Sequence, residues 1–249
     1  MISGRYAALL LAATVMVTVT QPSSAQRGAD GFMFNKPLFT FGIRGGFDRA
    51  IASGDVFSFV TKQLTLDRSD FSSATFGSSL ALPLSQSNDL VIDMGYASVA
   101  RRSEFRRWID QNNLPIEQTT SLQRIPVTVG FRHYLTAPGR SISRFAWIPA
   151  HRTAYVGLGA GLMHYRFRQV GDFVDFQTFA VFSDDFASKA WTPVVHALAG
   201  MDLSLGRVVM LTGELRYTWA RGPMSRDYVG FNRIDLSGVS VTTGLSIRQ

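Results

Sequence analysis

From Leu38 onward, apolar and polar positions alternate every second residue rather than every 3.6. Phe39, Phe41, Ile43 and Phe47 oppose Thr40, Gly42, Arg44, Gly46 and Asp48. Leu90, Ile92, Met94 and Tyr96 oppose Asp93, Gly95 and Ala97. Ile125, Val127, Val129 and Phe131 oppose Arg124, Thr128, Gly130 and Arg132. Val209, Leu211, Leu215, Tyr217 and Trp219 oppose Met210, Thr212, Glu214, Arg216 and Thr218. Residues 73–84, 154–165, 193–205 and 240–248 repeat the pattern. Each segment has one apolar and one polar face, as a strand between two media requires. The pattern predicts an all-β fold of eight strands.

The connections alternate in length. Residues 85–88 and 205–207 read as tight turns, whereas 51–70, 106–120, 170–190 and 221–232 read as long polar loops rich in aromatics. Short turns at one end and long loops at the other describe an eight-stranded antiparallel up-and-down transmembrane β-barrel over residues 38–249. Residues 136–153 depart from this, because about 18 residues, Trp147 and Pro149 among them, stand where a short periplasmic turn belongs.

Which face meets lipid follows from side-chain size. The polar faces carry mostly Gly, Ser, Thr and a few charges, which suits a lumen only wide enough for side chains to fill it. Large aliphatic and aromatic residues occupy the other face, and Phe39, Phe47, Tyr96, Tyr217 and Trp219 sit toward strand ends, where an interfacial girdle lies. A secreted lipocalin-like barrel would need a Lys- and Glu-rich outer face, which these strands lack. By parity the lumen holds Arg44, Arg124, Arg132 and Arg216 against Asp48, Asp93, Asp202 and Glu214. Buried charges need partners, so these eight predict an internal salt-bridge network. It could serve as an ion path or gate, and the favoured reading is electrostatic filling of a plugged lumen. Leu198 is the one large aliphatic side chain that parity places clearly inside.

Composition narrows the class further. The 249 residues are 46% hydrophobic, 12% aromatic and 17% charged, with 22 Gly and no Cys. That excludes disorder, a disulfide scaffold and a thiolate metal site. Beyond the N-terminus no apolar run reaches the length of a membrane helix. Residues 1–25 read as a cleaved signal peptide: Arg5, the apolar stretch Ala7–Val19, then Ser23-Ser24-Ala25. Cleavage before Gln26 leaves a short lead over 26–37 and, with Arg5 gone, lowers the formal charge from +7 to +6. The absence of Cys excludes a lipoprotein anchor.

Three segments carry a family resemblance: Ile125–Leu135 (IPVTVGFRHYL), Tyr155–Tyr165 (YVGLGAGLMHY) and Gly213–Tyr217 (GELRY). They resemble the small outer-membrane β-barrels of Gram-negative bacteria of the OmpA/OmpX/OmpW type. The last strand, with Thr242, Gly244 and outward Ile247, is similar to the signal read by the barrel-assembly machinery, with Gln249 in place of the usual closing aromatic. The resemblance implies the cell outer membrane, contact with lipid and lipopolysaccharide, and a monomer. It implies a structural or adhesive role, and the OmpW branch suggests a narrow channel for small hydrophobic compounds as the alternative.

Other chemistry fails on the residues. Gly157, Gly159 and Gly161 do not make a dinucleotide loop, since Leu162 occupies the third glycine's place and no helix follows. Lipid A deacylases of this fold place Ser two residues after the catalytic His, and none of His133, His151, His164 and His196 has one. His133 and His164 face lipid at opposite ends of neighbouring strands and share no site. No enzyme, cofactor, metal or nucleic-acid partner is therefore expected. Arg101, Arg102, Arg106 and Arg107, around Glu104 and Trp108 at a hairpin tip, are candidate contacts for lipopolysaccharide phosphates.

Overall fold

The computed structural model describes residues 31–143 and 145–249. The expected signal peptide, residues 1–25, lies outside the described residues, as does most of the lead before Phe32. In chain order the elements are β1 (Thr40–Ala50), helix α1 (Asp55–Gln63), a 3-10 turn (Arg68–Phe71), β2 (Ser73–Pro83), β3 (Asn88–Ile109) and β4 (Pro115–Tyr134). Then follow β5 (Gly139–Ser143), β6 (Ala146–Pro149), β7 (Arg152–Val174), β8 (Val181–Ser204), β9 (Val209–Gly222), β10 (Ile234–Asp235) and β11 (Gly238–Arg248).

Eight of these strands form a closed antiparallel ring, β1-β2-β3-β4-β7-β8-β9-β11, and β11 returns to β1 with Phe41 opposite Ile247 and Phe47 opposite Val241. Closure removes every free sheet edge from the wall. The period of two survives as alternating exposure: in β3, Ile92, Met94 and Tyr96 are exposed while Val91, Asp93 and Ala97 are buried. Apolar side chains clothe the outside, and charges and small residues fill the inside. No helix among the described residues is long and apolar enough to cross a membrane.

The wall is uneven in height. β1, β2, β9 and β11 have 11 to 14 residues, close to the ~9–11 that cross a bilayer. β3, β4, β7 and β8 have 20 to 24, so the β3–β4 and β7–β8 hairpins stand well beyond it. This corrects the loops expected at 106–120 and 170–190, where the irregular turns occupy only 110–114 and 175–180. Above the membrane neither face of a strand meets lipid, so the apolar alternation that marks a strand fades. Cross-strand ion pairs, Arg102 with Glu117 and Arg168 with Asp185, hold the extensions together instead. At the β7–β8 turn, the Gln177 N–H and the Thr178 hydroxyl donate to Asp175 and hold its carboxyl below the usual range.

The connection at 51–70, expected as a polar loop, contains α1. Gly54 caps the helix with φ at 118°, a conformation that favours glycine, and Asp55 and Lys62 complement its dipole. Val56, Phe57 and Val60 share one buried face. The connection at 136–153 is the β5–β6 hairpin. Its Trp147 is 5% exposed and exchanges two backbone hydrogen bonds, of 2.8 and 3.0 Å, with Met33.

Candidate functional site

Side chains occupy the lumen at three levels, and a space of about 50 Å³ remains beside Arg44, Asp48, Arg124 and Arg216. The loop end is apolar. Val56, Phe57 and Val60 of α1 pack with Leu122 of β4, Phe167 of β7, and Tyr228 and Ile234 of the β9–β11 connection. Phe57 lies edge-on to Phe71 at 4.7 Å and to Phe167 at 5.8 Å between ring centroids. The β9–β11 connection is tied to the segment before α1 by Asp235, which accepts from the Ser53 hydroxyl, from the Ser53 N–H at 3.2 Å and from the Ser237 N–H at 3.1 Å. Burial alone would raise the Asp235 pKa, but these bonds outweigh it and hold the carboxyl below its usual range.

The middle level carries the charges. Arg124 pairs with Asp48 at 2.5 Å and extends toward the Leu236 carbonyl. Below it, Asp93 takes both Arg44 at 2.7 Å and Arg216 at 2.8 Å, and Arg216 also reaches Glu214 at 2.8 Å. Arg44 stands on β1 and Asp93 on β3, so the guanidinium must cross β2. It does so over Gly77, where a Cβ would lie 2.9 Å from Arg44 Nη2. Gly159 makes room in the same way for the His196 ring, which a Cβ would approach to 2.5 Å.

Six of the eight lumen charges named from the sequence are thus joined by ion pairs. Arg132 and Asp202 are not: the Arg132 guanidinium lies 4.2 Å from the centroid of the Tyr155 ring, and Asp202 accepts from Thr212 Oγ1 at 2.8 Å. Sequence reasoning missed Asp89, which accepts from the Tyr134 hydroxyl at 2.8 Å, and Arg248, which donates to Ser204 Oγ at 2.6 Å. Both obey the same parity. Asp89 was hidden by its place beside the 85–88 turn, and Arg248 by its place at the end of the last strand.

The lowest level is a floor. Trp147 of β6 lies beneath the ring, with the Arg248 guanidinium 5.6 Å from its centroid. Together with Asp89, Tyr134 and Asp202 they enclose a space of about 40 Å³. The irregular 136–153 connection therefore places Trp147 beside the lumen side chains at the short-turn end.

Two expectations need correction. Leu198 is not alone inside: Val91, Leu122, Met163, Val194 and Met210 are all buried toward the lumen. The sequence pattern ended its strand too early to count Leu122, did not assign Val91, Met163 and Val194 to a face, and placed Met210 on the polar face without counting its bulk. The four arginines of the second hairpin lie on β3 itself rather than at a loop tip, because β3 continues to Ile109. Arg102 is committed to Glu117, and Arg106 donates to the carbonyls of Leu64 and Leu66. Arg101 and Arg107 are exposed, and neither side chain has an ion pair or hydrogen bond among the described residues.

An apolar exterior around a charged, side-chain-filled interior, closed into a ring of eight, is the inverse of a soluble protein and suits a bilayer. The fold is that of a small outer-membrane β-barrel. Thr242 and Gly244 of β11 face inward at the β1 seam and Ile247 faces out.

No protein-family model matches the chain, and no curated protein is similar to it. Solved structures similar to it include neisserial surface protein A, at 10% identity over 85% of this chain and 96% of that one, with a TM-score of 0.44. The outer-membrane protein OprG of Pseudomonas aeruginosa gives 13% identity over 87% and 99%, with a TM-score of 0.45. Ail, the attachment invasion locus protein of Yersinia pestis, gives 11% over 84% and 97%, with a TM-score of 0.41. Such likenesses carry no argument about the role of this chain. The architecture rests on its own strand register.

Proposed function

We propose that the chain is a closed outer-membrane barrel with a structural or adhesive role at the cell surface, rather than a pore or an enzyme. The observation that carries this reading is the filling of the lumen in series: α1 and its apolar contacts, then the Arg44–Asp93–Arg216–Glu214 cluster, then Trp147. A channel for small hydrophobic compounds has less support, because an apolar path from the loop end meets paired charges at Arg124 and Asp48. In planar bilayers, refolded protein is expected to give no single-channel steps, and stable steps would overturn the plugged-lumen reading.

The tall side of the wall suits contact with the outer leaflet. The guanidinium groups of Arg101 and Arg107 have no ion pair or hydrogen bond among the described residues and suit the phosphates of lipopolysaccharide. Replacing both by alanine is expected to reduce lipopolysaccharide adducts in native mass spectra severalfold. Unchanged adducts would remove these two residues from the reading. Insertion through the barrel-assembly machinery, with β11 as the recognised strand, and a monomeric state complete the proposal.

A further inference from the structure

A cavity of about 180 Å³ lies at the loop end, between α1, the extensions of β3, β4, β7 and β8, and the β9–β11 connection. It is separate from the lumen charges, and its lining is mostly aromatic. Phe59 meets Phe231 at 5.5 Å between ring centroids, Phe231 meets Tyr228 at 6.3 Å, and Tyr228 meets Phe186 at 6.5 Å. Phe173 closes on Phe186 at 4.7 Å, largely edge to face. Such a wall offers both ring faces and ring edges to another aromatic. At the rim Phe59, Phe176 and Phe182 remain 40–44% exposed, which leaves a small molecule a way in.

Two buried amides also line the cavity, and they differ. Gln169 is satisfied, with its Oε1 accepting from the Tyr228 hydroxyl and its Nε2 donating to Thr120 Oγ1, each at 3.4 Å. Gln118 is 4% exposed and makes no side-chain hydrogen bond, and its Oε1 is buried without a partner. A buried carbonyl without a donor is costly and rare. Asp227 on the same wall disfavours an anionic guest.

We propose that this cavity is a binding site for a small neutral aromatic carrying one hydrogen-bond donor, with phenol as the simplest member of the class. The size agrees, since an apolar cavity of about 150 Å³ already takes up benzene. The rings supply the apolar contact, and Gln118, by turning its amide toward the guest, supplies the acceptor. The site lies above the paired charges and is independent of whether the lumen conducts.

Calorimetric titration of the full chain in lipid nanodiscs, against empty nanodiscs, tests this with phenol and benzene as probes. The protein is expected to bind phenol saturably and several-fold to about tenfold more tightly than benzene, the worth of one neutral hydrogen bond. Gln118→Leu is expected to erase that preference while benzene binding persists. Phe105→Trp, which enlarges a lining side chain, is expected to weaken both probes. Heat-modifiable electrophoretic mobility verifies that each variant is folded. Absence of saturable phenol binding to the unmodified protein overturns the site. So does a phenol preference that survives Gln118→Leu, or binding that Phe105→Trp leaves unchanged.

Discussion

Replacing Asp93 with alanine is expected to cost the folded barrel about 3–5 kcal/mol, read as a lower urea midpoint for unfolding from phospholipid vesicles. Among the described residues Asp93 is the only acid paired to Arg44, and it shares Arg216 with Glu214. Its removal therefore strands one guanidinium and half-strands another, at a level where these side chains are largely buried. The cost comes from the orphaned charge more than from the lost attraction. The paired variant Asp93→Ala with Arg44→Met should consequently recover part of the loss, since Arg216 keeps Glu214 at 2.8 Å. A loss below about 1 kcal/mol, the range of exposed ion pairs, would mean that solvent reaches this level and screens it. That result would count against a lumen closed by its charges.

The same residues show what a sequence can and cannot reveal about such a barrel. Period two was legible wherever a strand separates lipid from lumen, so Phe41, Ile92, Val129 and Leu215 mark the wall, and the charges opposite them mark the interior. The pairing Arg44–Asp93 was not legible, because it spans two strands and depends on the space above Gly77. Strand ends were lost where lipid ends: Arg102 and Glu117 continue β3 and β4 without any apolar face to announce them. Helix α1 was lost for a different reason. Nine residues with three buried ones give too few turns for a 3.6-residue period to stand out from a polar loop. The aromatic cavity lies outside both regimes, because its rings come from five separate segments that only the closed ring brings together.

Replacing Phe57 with alanine is expected to release the plug rather than the barrel. The ring is fully buried among Phe71, Phe167 and its neighbours on α1, so truncation leaves a cavity worth about 3–5 kcal/mol. The strand wall around it is held by continuous ladders and cannot collapse into the gap. Yet α1 touches the wall through side chains and is tied to β3 by backbone pairing only just past its C-terminus, at Leu64 and Thr65, whereas the eight strands are joined to one another by continuous backbone ladders. The loss should therefore appear as local opening. Amides within 54–64, such as Ser58 bonded to the Gly54 carbonyl, should exchange about a hundredfold faster or more, while the urea midpoint of the barrel moves little. On the plugged-lumen proposal conductance should still be absent, because the paired Arg44–Asp93–Arg216–Glu214 cluster stays in place beneath the loosened helix. If the midpoint instead falls by the full amount and exchange rises throughout the ring, α1 is part of the barrel's folding unit. The lumen would then have one cooperative closure, not two in series.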